Sequence, residues 1–198
     1  MKIIIPVLFL AAISQFICAQ EFDKEIASAK TAYTAGNYDD SRFAVQNALN
    51  AIDIQIGRQV LALLPAKIND MSSTAANDQV SSQGTAYVGM FVQRIWEKTG
   101  SGKVTFSIIS DSPLMGSINT LLMLPFISSD SNQKKIKVEG YKAILEKKVG
   151  ENAATTGYNI MLPLNNTLLQ VNYEGSISEQ DFLTILQQIP VSKVASTI

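Results

Sequence analysis

The sequence predicts an α+β protein: an N-terminal α-helical hairpin followed by an antiparallel β-sheet with two helices packed on it. Three observations carry this. Apolar residues recur at helical spacing through residues 22–64. Segments within 85–174 alternate apolar and polar with period two, the spacing of half-buried strands. Two short runs, behind Ser112 and behind Ser178, return to the helical period after capping residues.

The hairpin comes first. Phe22, Ile26, Ala29 and Tyr33 form one amphipathic stripe, which Gly36-Asn37 breaks. Asp39 or Asp40 is placed to cap the second helix. Its stripe is Val45, Ala48, Leu49, Ile52, Ile56, Val60 and Leu63, and Pro65 closes it. Residues 66–84 follow, rich in Asn, Asp, Ser, Thr and Gln, and read as a polar linker. The expected organisation is therefore a leader over 1–19, the hairpin over 20–65, the linker over 66–84 and an α+β domain over 85–198.

In that last part, Val104, Phe106 and Ile108 face opposite to Lys103, Thr105 and Ser107. Tyr158, Ile160, Leu162 and Leu164 repeat the alternation, as do Leu169, Val171 and Tyr173. Asn165-Asn166 between them suits a tight hairpin turn. Ile136 and Val138 are out of phase with Tyr141, Ala143 and Leu145, which predicts a bulge or sharp bend at Gly140. Residues 85–98 are apolar on both faces. Ser112-Pro113 opens one helix, and Ser178 with Asp181 resembles a capping box for another that Pro190 ends.

Composition excludes much chemistry. The chain has 198 residues, no His and one Cys. It cannot alone build a Ser-His-Asp triad, a Cys-His dyad or a histidine metal site. A net charge of −1 argues against a general nucleic-acid binder. Lys2, the apolar run Ile3–Ile13 and the small Ala19 have the three-part layout of a secretory signal peptide, cleaved after Ala19. Lipidation at Cys18 is the lesser alternative, because Ile17 stands where such sites carry a small residue. Cleavage would remove the one thiol and leave no transmembrane segment in the mature chain.

Ala29, Tyr33, Gly36, Tyr38, Ala44 and Ala48 together resemble one tetratricopeptide repeat, with Gly36-Asn37-Tyr38 as its inter-helix turn. Ser41 stands where that family usually has Ala, no Pro follows at the expected end, and no second copy is found. The resemblance implies a partner site at Tyr33 and Tyr38. The sheet with a Gly before its last helix is similar in architecture to PsbP-like and lipoprotein-carrier periplasmic domains. The whole chain resembles an exported bacterial envelope protein.

Candidate contacts follow. Tyr87, Phe91 and Ile95 share a strand face that would line an apolar groove or enter the core. Lys134, Lys135 and Lys137 belong to a lysine-rich hairpin that would meet an anion or simply solubilise its face. Asp111, Glu139, Glu151 and Glu174 sit near strand ends, without a spacing that forces a catalytic pair. No catalytic residue, metal ligand or cofactor is assigned. The expected function is a non-catalytic, exported protein-interaction or assembly module of the envelope, its partner another envelope protein. Alternatives are a periplasmic carrier of an apolar ligand, sheltered between sheet and helix, and a carboxylate-based hydrolase.

Overall fold

The computed structural model describes residues 7–82, 89–100, 102–124, 132–149 and 156–198. It divides into two compact units, Met1–Ile56 and Gly57–Ile198. The fold class is α+β, with a helical N-terminal region followed by a large antiparallel sheet and further helices.

The first unit holds α1 (Val7–Thr34) and the start of α2 (Tyr38–Leu63). Gly36 stops α1 for a backbone reason. At φ 78° it adopts the left-handed conformation, Asn37 N–H donates to Ala32 O and Gly36 N–H to Tyr33 O. That pair of bonds is a Schellman cap, which uses the last orphan carbonyls of the helix. Asn37 directly precedes α2, so Asp39 and Asp40 lie in its first turn instead of capping it. There they favour the positive end of the helix dipole. Among the described residues of this unit the buried side chains are Ala29 on α1, with Ser41, Ala44, Ala48, Asn50 and Ala51 on α2, most of them small. The Ser41 hydroxyl donates to Ala29 O at 2.9 Å, tying one helix to the other.

In the second unit the last turns of α2 bury Val60, Leu61 and Leu64. Residues expected as a linker instead carry β1 (Lys67–Ile68), β2 (Met71–Ser73) and β3 (Gln79–Ser81). Their polar composition suits short strands at the margin of the sheet, where β1 and β3 each pair on one side only among the described residues and β2 lies between β1 and β4. The sheet continues with β4 (Phe91–Lys98), β5 (Gly102–Ser110), β6 (Gln133–Val138), β7 (Tyr141–Val149), β8 (Thr156–Leu164) and β9 (Thr167–Glu174). Among the described residues the order is β1-β2-β4-β5-β9-β8-β7-β6, with β3 also pairing β4, and every pairing is antiparallel.

The phase slip at Gly140 is a hairpin turn, not a bulge. Val138 pairs Tyr141 directly, with Glu139 at φ 46° and Gly140 at φ 91° between them. Two consecutive left-handed residues make the turn that matches strand twist. Asn165, at φ 52°, serves the β8–β9 turn as expected.

Register gives the sheet two unlike faces. One carries Val92, Trp96, Val104, Phe106, Ile108, Val171, Ile160 and Leu145, all at most 2% exposed. The helices α4 (Glu179–Leu186) and α5 (Val191–Thr197) bury Phe182, Ile185, Leu186, Val191 and Val194. Phe182 stacks on Tyr158 of this face, with ring centroids 5.5 Å apart. Ser178 caps α4 by accepting from Asp181 N–H at 3.1 Å. The Ser178 hydroxyl also donates to the Asp181 carboxylate at 2.6 Å. The helix after Pro190 is additional to those expected. On the other face α3 (Met115–Met123) packs Met115 and Ile118 with Ile144, Met161 and Leu168. It begins later than Ser112-Pro113 implied. Leu114 is its N-cap, and the Ser112 hydroxyl accepts from Leu114 N–H at 3.3 Å.

Gly57 lies where α2 packs tightly on the sheet. A Cβ there would lie 2.6 Å from Val80 Cγ1 and 2.9 Å from Val92 Cγ2. Alanine gains about 1 kcal/mol of helix propensity over glycine. Overpacking against two stiff β-branched side chains costs about 1–3 kcal/mol, so the clash outweighs the gain. Gly57→Ala should lower stability by about 1 kcal/mol in urea denaturation.

Candidate functional site

Two surfaces gather the residues singled out in the sequence. The first is the helical hairpin. Its small residues are inside, so its large ones are outside: Tyr33 is 67% exposed, Phe43 67% and Tyr38 61%. Val45, Leu49 and Ile52 lie at i, i+4 and i+7 of α2 and are each 41–50% exposed. The stripe expected to be core on α2 thus divides, Ala48 buried and these three outside. Tyr33 and Tyr38 meet edge to face, with centroids 5.6 Å apart. On the hairpin, Lys24, Ala27, Ser28, Thr31, Asp40 and Phe43 are among the residues that line an open groove of about 730 Å³.

The second surface is the part of the α3-bearing sheet face that lies in register beside the α3 cluster. Phe91 and Ile95 are on this face, half-buried. Tyr87 lies outside the described residues. Ile118 and Leu122, which an apolar carrier pocket would have joined to Phe91 and Ile95, belong to the packed α3 cluster. The register brings Ile95, Thr105, Asn172, Asn159, Glu146 and Gln133 into one row across six strands. The adjacent row runs Gln79, Gln93, Ser107 and Gln170 before passing to Met161. Gln133 donates to Glu146 at 3.0 Å, and Lys148 donates to Asn172 at 3.0 Å. In the sequence Thr105 and Ser107 read only as the outward side of a strand. The pairing that aligns them with Asn159 and Gln170 is a property of the fold.

The three lysines do not form one patch. Strand alternation sends Lys134 to one face of β6 and Lys135 and Lys137 to the other. Lys134 pairs with Glu179 at 2.5 Å, beside a recess of about 170 Å³ lined also by Asn132, Leu145, Lys147 and Tyr158. Lys135 donates to Leu122 O at 3.1 Å and to Leu124 O, the carbonyls that end α3. Lys137 is exposed.

Three of the four carboxylates noted in the sequence have a partner in the fold. Asp111 accepts from the Asn166 amide, Glu139 accepts from Ser192 N–H at 2.6 Å, and Glu174 pairs with Lys103 at 2.7 Å. Glu151 lies outside the described residues. Among those described, no cluster of three His, Cys, Asp or Glu side chains could hold a metal ion. No helix there is long and apolar enough to cross a membrane. Lys98, hydrogen-bonded at 2.5 Å, holds the Asp70 carboxyl below its ordinary value. Burial pushes the Tyr173 phenol above its ordinary value near 10, and the charge of Asp70 adds to this. Comparison with known protein families, with curated proteins and with solved structures found no match.

Two outcomes follow from this chemistry. Lys135 stabilises the negative end of α3, so Lys135→Met should cost about 0.5–1 kcal/mol. Lys137→Met should stay within about 0.5 kcal/mol by the same urea titration. Tyr173 holds its proton more tightly in the folded than in the unfolded chain. Its contribution to stability is therefore full below about pH 10 and declines as pH rises past that value toward the raised folded one. Tyr173→Phe should remove this alkaline loss, read as urea midpoints on either side of pH 10.

Proposed function

We propose that this chain is an exported, non-catalytic interaction module of the cell envelope, with its helical hairpin as the docking surface for another envelope protein. The supporting observation is the concentration of exposed apolar side chains on that hairpin. Most large hydrophobic residues at least 41% exposed among those described belong to it: Ile26, Tyr33, Tyr38, Phe43, Val45, Leu49 and Ile52. Single exposed apolar residues are ordinary, whereas a contiguous set marks a contact surface. Tyrosines supply large contact area with few rotamers to fix, which suits them to interfaces. The tetratricopeptide-like turn at Gly36-Asn37-Tyr38 agrees with a hairpin that receives a helix or an extended peptide. The apolar leader supplies the route out of the cytoplasm.

A photocrosslinking residue at Val45 tests the reading. In envelope extracts of the producing cell it should give a discrete adduct with another protein. The same probe at Thr120 on α3 should not. Leu49→Glu combined with Ile52→Glu should abolish the adduct while the thermal midpoint stays within a few degrees. An adduct of exactly doubled mass would make the occupant a second copy of this chain, and no adduct at Val45 would overturn the reading.

A further inference from the structure

The outer side of α3 lacks the charges that such a surface usually carries. A helix packed on one side ordinarily turns charged side chains to water on the other. Residues 112–124 contain no Asp, Glu, Lys or Arg. Met115 and Ile118 are buried against the sheet, while Met123 is 84% exposed, Leu114 47% and Leu124 44%. Gly116, Ser117, Asn119 and Thr120 make up the rest of the exposed side. Two of the polar groups there are already satisfied within the helix. The Ser117 hydroxyl donates to Leu114 O at 2.8 Å, and the Thr120 hydroxyl donates to Gly116 O at 2.9 Å.

Cations stand beside the exposed apolar end of this helix. Lys135 donates to Leu122 O and Leu124 O, which fixes that end against β6. Lys137 lies two positions along the same strand face, about 7 Å further on. Lys142 pairs Lys137 directly across β6 and β7. Both are exposed, and neither has a polar partner among the described residues. Like charges directly opposite on a sheet repel. The carboxylates of this hairpin are held elsewhere. Glu139 accepts from Ser192 N–H at 2.6 Å, and Glu146 accepts from Gln133 at 3.0 Å.

We infer that the Met123 end of α3, with Lys137 and Lys142, rests on an anionic phospholipid surface. Met123 and Leu124 enter the boundary between headgroups and acyl chains, and the two lysines meet lipid phosphates. Each half of the surface gains on leaving bulk water. Exposed Met and Leu lose hydrated apolar area, and an opposed lysine pair is relieved by a negative surface. A helix of nine residues is too short to cross a bilayer, so α3 lies along it. A protein occupant fits less well, because protein interfaces carry about one hydrogen bond per 100–200 Å². The hydroxyls of α3 have donated inward and offer few. Lysine is a compact point charge suited to phosphate, without the fork by which arginine grips a carboxylate. The inference goes beyond the hairpin reading and shares no residue with it.

The test is fluorescence quenching by vesicles of brominated phosphatidylcholine and phosphatidylglycerol in equal parts, on the full chain carrying Met123→Trp. Trp96 is fully buried and gives a constant background. Quenching should rise with lipid, weaken as salt is raised and be small with brominated phosphatidylcholine alone. Lys137→Gln and Lys142→Gln together should weaken partition about twentyfold without lowering the thermal midpoint. Gln187→Trp, at the exposed end of α4 across the sheet, should not be quenched. Leu49→Glu with Ile52→Glu should leave the quenching of Met123→Trp intact. No quenching of Met123→Trp, equal quenching with phosphatidylcholine alone, indifference to the lysine substitutions, or equal quenching of Gln187→Trp would overturn the inference. So would a discrete protein adduct from a photocrosslinker at Thr120, which would assign the face to a protein.

Discussion

Arg94 is the constraint on which the second unit depends. It is a cation on the apolar face of β4, in register with Phe106. Its side chain and that of Asp78 are each 11% exposed. Nε and Nη2 donate to the two Asp78 oxygens at 2.9 and 2.5 Å, and Nη1 donates to Leu64 O at 2.8 Å. Two strand positions away, Trp96 Nε1 donates to Pro65 O at 2.8 Å. One guanidinium thus joins the strand to the end of α2 and to the residue just before β3. A planar five-donor fork can do this where a lysine cannot. The geometry is demanding because the charge is largely out of water. Losing one partner of such a pair costs about 3–5 kcal/mol, although an apolar replacement of the whole set need not.

The same knot explains why a polar segment became part of the sheet. Residues 69–84 have the composition of a linker, and composition is blind to what lies next to a segment in space. Asp78 reads as a loop residue until Arg94 stands opposite it. Asn69 likewise reads as a turn former, and so it is, at φ 51°. It also exchanges two hydrogen bonds with Gln188, 119 residues away. Long-range partners of this kind leave no periodicity behind.

What the sequence did reveal is what local physics decides. The strands from β4 onward, the Asn165 turn, the Ser178 cap and the stop at Gly36 follow from period, propensity and backbone conformation. The slip at Gly140 was visible as a break of phase, but a bulge and a two-residue turn break phase in the same way. Only the pairing of Val138 with Tyr141 separates them. The candidate surfaces were legible one residue at a time. Tyr33, Tyr38, Phe91 and Ile95 could be picked out as aromatic or apolar residues with a face to spare. The row joining Thr105, Asn172 and Asn159 could not, because its members are far apart in the chain and only register aligns them.

The chemistry of the two surfaces follows from how each unit fills its interior. In the first unit the hairpin buries alanines, one serine and one asparagine, which lets its helices approach closely and removes little apolar area per residue. Its aromatic and branched residues are left outside, and a surface of that kind gains most from a partner that covers it. The sheet does the reverse. Trp96, Phe106, Phe182 and a set of branched aliphatics fill the covered face. The α3 cluster takes much of the apolar side chain on the other face, and beside it lie Phe91, Ile95 and rows rich in amide and hydroxyl. Such groups gain little from being covered by hydrocarbon and lose the hydrogen bonds they make to water. The hairpin thus turns hydrocarbon toward water where this part of the sheet turns hydrogen-bonding groups, because one unit closes its core with small side chains and the other with large ones.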